Sequence, residues 1–68
     1  MDGQELKQRR NKLGITRRRL ALLLGVSETL IYKWESGKRR ILPDKISAFE
    51  NIEERFKTEA SRKVLRHI

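Results

Sequence analysis

Cysteine is absent from this chain of 68 residues, and histidine occurs once, at position 67. Neither a disulfide framework nor a thiolate metal site can be built, and a lone His67 is a weak ligand, so no metal and no cofactor are expected. No apolar run approaches the roughly 20 residues of a membrane span. The Met1-Asp2-Gly3-Gln4 start has neither the basic nor the apolar region of a signal peptide, which predicts a cytoplasmic protein. A chain this short buries only ~60% of its unfolded surface, leaving no room for a second domain or a deep catalytic cavity, so an enzyme is not expected. Low-complexity linkers and internal repeats are lacking too, and residues 1–68 read as a single domain.

What the sequence has in excess is positive charge. Seventeen Lys and Arg against nine Asp and Glu leave +8, a balance that attracts polyanions. The excess is lopsided. Residues 1–40 hold eleven basic and four acidic side chains, whereas residues 41–68 hold six and five, so the polyanion-facing surface belongs to the first forty residues.

Local signals divide the chain into helices. Asp2 is placed to cap a first helix over about residues 3–13, with Glu5 three residues on in a variant of the capping box and Gly14 as the left-handed stop. Thr16 caps a second helix that runs to Leu24 with Leu20, Ala21 and Leu24 on its apolar side; Gly25 follows where a sharp turn needs positive φ. Ser27 caps a third helix to about Ser36, ended by Gly37, with Leu30, Ile31 and Trp34 on one inward stripe. Two short helices joined by only Gly25-Val26-Ser27 must cross steeply, which is helix-turn-helix geometry. After the basic loop Lys38–Arg40, Pro43 suits the first turn of a further helix. Ile46, Phe49, Ile52, Phe56, Ala60 and Val64 then step by three or four, which predicts a mostly continuous helix to Ile68. The expected fold is all-α: a compact bundle of four to five helices with its core in residues 3–50 and an amphipathic extension over 50–68.

The second helix opens with Arg17, Arg18 and Arg19, where the helix dipole favours anions. Such a start makes sense if an external anion, a DNA phosphate, settles among the N–H groups and guanidinium forks. With Leu30, Ile31 and Trp34 turned inward, the third helix presents Glu28, Thr29, Tyr32, Lys33 and Ser36 as one polar strip. In a major groove, Lys33 suits guanine O6 or N7, Glu28 suits cytosine N4, and the Thr29 methyl suits thymine. An ordinary solvated helix face is the bland alternative, as is Glu28 repelling phosphate or pairing with a nearby cation. Trp34 and Phe49 read as core rather than as base-stacking platforms, since only four aromatics are present and Trp34 lies on the apolar stripe. Arg10 and Glu35 fall on or beside core-facing stripes and are predicted to pair.

Leu6, Arg10, Leu13-Gly14-Ile15-Thr16, Leu20-Ala21, Leu24-Gly25-Val26-Ser27, Ile31, Trp34-Glu35 and Gly37-Lys38 stand at a specific spacing. In that pattern the chain resembles the helix-turn-helix domain of phage repressors and Cro proteins, the lambda-repressor-like or XRE-type family. The resemblance implies double-stranded DNA as partner, with Arg17 at a phosphate, Ser27, Glu28, Thr29 and Lys33 at bases, and Ser36, Lys38, Arg39 and Arg40 at the backbone. Arg18 and Tyr32, beside these, are counted with the phosphate contacts. The family's Arg–Glu ion pair falls on Arg10 and Glu35. Two departures stand out. Arg17 replaces the usual glutamine, and the charged stretch from Glu50 to Ile68 replaces the usual short fifth helix.

The leading expectation is therefore a nucleoid-associated repressor that binds a palindromic operator as a homodimer. Leu22 and Leu23, with Phe56, Ala60, Val64 and Ile68, form a candidate second hydrophobic surface that either docks the last helix or makes that dimer. The alternative is an antitoxin-type or controller protein whose C-terminal helix holds a protein partner. Membrane binding by the tail is disfavoured, because residues 50–68 include four acidic side chains and carry little net charge.

Overall fold

The structure, a computed structural model, describes the backbone of residues 1–66 and the side chains of residues 1–59. Expectations placed on the side chains of Ala60, Val64, His67 and Ile68 lie outside the described residues. Four helices follow one another: α1 (Gly3–Leu13), α2 (Arg17–Leu24), α3 (Glu28–Glu35) and α4 (Pro43–Arg66). Each of the first three begins where a short oxygen-bearing side chain can serve the free N–H groups of the first turn. Asp2 Oδ1 accepts from the Glu5 N–H at 2.7 Å, Thr16 Oγ1 from Arg19 at 3.1 Å, and Ser27 Oγ from Leu30 at 3.1 Å. The reciprocal half of the expected capping box does not form, because the Glu5 carboxylate turns away to accept from Arg9 Nη1 at 3.1 Å. Between α2 and α3 the chain reverses on Gly25, whose φ of 69° costs an L side chain strain but costs glycine none. The next N–H, of Val26, donates back to the Ala21 carbonyl at 3.0 Å, which closes the end of α2 onto the turn.

Leu6, Leu20, Ala21, Leu24, Ile31, Trp34, Ile41 and Phe49 form one buried cluster, contributed by all four helices and the loop before α4. Full burial of each large side chain is worth about 1.5–3 kcal/mol, the main force holding helices too short to persist alone. Trp34 and Phe49 are core residues, 2% and 1% exposed. Gly3 fits this packing in a way its sequence context does not announce. A Cβ there would overlap the Trp34 carbonyl oxygen and sit 2.8 Å from the Trp34 carbonyl carbon, so α1 begins in direct backbone contact with the end of α3.

Helix α4 starts at Pro43, with the Lys45 and Ile46 N–H groups both bonded to the Leu42 carbonyl at 3.0 Å. It is tied down twice by charge. Lys45 Nζ donates to the Leu24 carbonyl at the end of α2, 3.2 Å away, and Arg9 of α1 grips Glu53 with Nε at 2.9 Å from Oε2 and Nη2 on Oε1. The helix is continuous, as its unbroken three-and-four spacing predicts. At about 36 Å for 24 residues it outruns the 20 Å cross-section of the molecule, whose longest dimension is 46 Å. Leu23, Ile52 and Phe56 line a groove between α2 and α4, rimmed by Arg19, Arg55 and Glu59. Leu23 is 41% exposed in this groove, and Leu22, the preceding residue of α2, is 71% exposed. No helix of the described residues is long and apolar enough to cross a membrane, and among them no three His, Cys, Asp or Glu side chains gather to hold a metal.

Candidate nucleic-acid interface

The inward stripe of α3 fixes what its other side presents. Ile31 and Trp34 are buried and Leu30 is half-buried against the core. Ser27, Glu28, Thr29, Tyr32 and Ser36 are consequently exposed, and Lys33 is half-buried at the edge of the strip. The Ser27 hydroxyl is occupied as the cap of α3, and Ser36 Oγ donates to the Lys33 carbonyl at 3.3 Å. Glu28 forms no ion pair among the described residues, so its sequence-predicted alternative of pairing with a local cation is not seen.

Beneath the strip lies a charged anchor. Glu35, its side chain only 2% exposed, takes Arg10 Nε on Oε2 at 2.7 Å and Arg10 Nη2 on Oε1 at 3.3 Å. Arg10 also donates from Nη1 to the Ile15 carbonyl at 2.8 Å, which leaves its buried guanidinium well satisfied. The expected Arg10–Glu35 pair is thus present, but it is not a pair. Arg17 Nε also reaches Glu35 Oε1, at 2.7 Å. Burial alone would push the Glu35 carboxyl up; the hydrogen bonds from Arg10 and Arg17 outweigh it and hold the group below the ordinary glutamate range.

The sequence offers Arg17 an external anion only. In the fold Arg17 already has an internal one, which relieves part of the unfavourable charge at the start of α2 and fixes the side chain's direction. Its guanidinium lies 5.6 Å from the centre of the Tyr32 ring, and Lys38 Nζ lies 5.6 Å from the same centre. The first residue of α2, the middle of α3 and the loop after it therefore converge on Tyr32. Arg18 is exposed on the next residue of α2. Arg39 and Arg40 take another course, bordering a shallow depression with Met1, Asp2, Gly3 and Trp34 where α1 meets the end of α3. The Arg17–Glu35 bond escaped sequence reasoning, which spent Glu35 on Arg10. The available signal was arithmetic: one buried carboxylate can serve more than one guanidinium.

A steep two-helix motif of this kind, opened by cations and bearing a polar strip on its second helix, invites comparison with known proteins. A family model described as Helix-turn-helix matches residues 6–52, most of the chain. The chain belongs to the lambda-repressor-like helix-turn-helix family. No curated protein and no solved structure matches it significantly. As a member of this family the helix-turn-helix protein is a DNA-binding transcription regulator of the XRE type. The matched segment holds most of α1, all of α2 and α3, the loop after α3 and the first part of α4, so it includes every side chain that converges on Tyr32 and excludes the outer half of α4.

Proposed function

We propose that this protein is a repressor that binds a two-fold symmetric operator as a homodimer, its α3 helix lying in the major groove. Ser27, Glu28, Thr29 and Lys33 read base edges, Arg17, Arg18, Ser36, Lys38, Arg39 and Arg40 meet phosphates, and Tyr32 stands among the phosphate-facing cations. The observation that carries this reading is the convergence of Arg17 from α2 and Lys38 from the loop after α3 on Tyr32, within an exposed polar strip of α3. A groove-entering helix needs cations beside its base-reading groups, because phosphates line the groove it enters. The buried Glu35 anchor supports it, because side chains held in place before binding lose less freedom on binding.

Dimerisation is favoured at the groove between α2 and α4. Two chains of +8 repel least where the charge is nearly balanced, and residues 41–68 hold six basic and five acidic side chains. Leu23 is exposed there, its neighbour Leu22 is exposed on the same helix, and Arg55 and Glu59 give the rim both signs, as a self-complementary two-fold contact requires. The same apolar exposure is the one observation favouring the second reading, an antitoxin-type or controller protein with a protein partner on that face. Selection of binding sites from random DNA tests the proposal. Two inverted half-sites about one helical turn apart are expected, and a selection that returns no consensus, or a single unrepeated half-site, overturns it.

A further inference from the structure

One carboxylate serves two arginines at the heart of the motif, and the charges do not cancel. Glu35 brings one negative charge, Arg10 and Arg17 two positive ones. Arg10 is buried, and its Nε, Nη1 and Nη2 all donate within the protein. The uncompensated charge therefore resides on Arg17, whose side chain is 37% exposed. Because Arg17 is bound to Glu35 through Nε, the end of its planar fork, Nη1 and Nη2, stays open; among the described residues neither nitrogen meets an acceptor. Lys38 Nζ is likewise without a hydrogen-bonded acceptor among them.

These two cations share a single aromatic ring. Arg17 and Lys38 each stand 5.6 Å from the centre of Tyr32, within the range where the ring's quadrupole attracts a cation. Like charges gathered at one exposed ring repel each other, and an anion shared between them relieves that repulsion. Resting on the DNA-binding reading above, we infer that Tyr32 is a plate on which Arg17 and Lys38 are laid out to seat one DNA phosphodiester, with Glu35 fixing Arg17 from beneath. In this arrangement Tyr32 acts through its ring face rather than through its hydroxyl, and Tyr32 and Glu35 are positioning residues. The glutamine that the family commonly carries at the place of Arg17 has no charge to bring to such a seat.

The test separates ring from hydroxyl. The full chain and its variants are titrated with a mixed-sequence duplex of about 21 base pairs, two helical turns, in phosphate-free buffer over a series of salt concentrations. Tyr32→Phe keeps the plate and is expected to lose clearly less affinity than Tyr32→Leu. Tyr32→Leu removes it and is expected to weaken binding about fivefold, the scale of a cation–π contact at an exposed site. In an Arg17→Gln background, Tyr32→Leu is expected to cost clearly less than it does alone, because one of the two cations it positions is gone. Melting followed by circular dichroism accompanies each titration; Tyr32 is 48% exposed, so the fold survives its replacement. Equal losses for Phe and Leu would assign the contact to the hydroxyl and overturn the seat. So would Tyr32→Leu binding like the unaltered chain, or costing as much with Arg17→Gln as without it. Failure of the unaltered chain to bind any duplex would instead remove the DNA reading on which the seat rests.

Discussion

Replacing Glu35 by alanine removes the partner of two guanidiniums at once. Three hydrogen bonds go, two of them short and charge-assisted at 2.7 Å. Arg17 can turn out to water, since its side chain is already 37% exposed, but Arg10, at 8%, cannot do so without opening the core. Arg10 is left buried with the Ile15 carbonyl as its remaining acceptor. Breaking a buried pair from one side costs about 3–5 kcal/mol, most of it the price of an uncompensated charge. A domain of this length has a total stability of about 3–10 kcal/mol, so Glu35→Ala consumes much or all of it. With 1 kcal/mol shifting the midpoint of a small domain by about 4–8 °C, thermal denaturation followed at 222 nm should drop by at least about 12 °C, or show no folded baseline. The double variant Arg10→Met/Glu35→Leu, which removes the stranded charge as well, should recover a large part of that loss. A fall of only a few degrees for Glu35→Ala, or a double variant less stable than the single one, would refute the reasoning.

The same carboxyl makes the fold acid-sensitive in a defined window. Its ionised form is favoured in the native state, so the stability it contributes is complete above the ordinary glutamate range and is lost as pH falls through it. Urea midpoints should be level from pH 7 to 5 and decline below about pH 4.3. Gly3→Ala should lower stability by about 1–3 kcal/mol, the usual cost of overpacking, because the new methyl meets the Trp34 backbone rather than a movable side chain; a chemical-denaturation curve superimposable on the original would contradict this. Lys33→Ala should cost ~1–3 kcal/mol on a selected site and relax its base preference, whereas Arg17→Ala should weaken all sequences alike and flatten the salt slope by about one unit; competition titrations against mixed-sequence DNA distinguish the two. If the proposed dimer forms on the α2–α4 face, Leu22→Lys with Leu23→Lys should shift sedimentation from dimer to monomer while leaving the helical signal intact, and an unchanged sedimentation coefficient would contradict it.

Most of the fold was legible because its boundaries are written in local chemistry. Asp2, Thr16 and Ser27 cap the helices at the residues their side-chain oxygens predict, and Gly14 and Gly25 stop two of them in the left-handed conformation. These are events within three or four residues, which a sequence displays directly. The inward stripe of α3 was equally readable, and with it the identity of the exposed strip. What was hidden depends on contacts between distant segments. Arg9 and Glu53 are 44 positions apart and meet only because α4 crosses α1. Gly3 looks like a flexible start, and its need for a missing side chain arises from the Trp34 carbonyl. Arg17 looked like a free cation until the fold set it above Glu35, 18 residues on. The convergence of Arg17 and Lys38 on Tyr32 is hidden for the same reason, since no periodicity along the chain links residues 17, 32 and 38.

In the proposed complex the start of α2, the outer strip of α3 and the loop behind it form one surface that enters a DNA groove. Backbone amide chemical shifts recorded while the protein is titrated with a selected duplex test it residue by residue. Large changes are expected at residues 17–18, 27–33 and 36–40, with the exposed face of α1 at Gln8, Asn11 and Lys12 left still. Changes centred on that face of α1, or on Asn51, Glu54 and Thr58 of α4 while α3 stays silent, would contradict it.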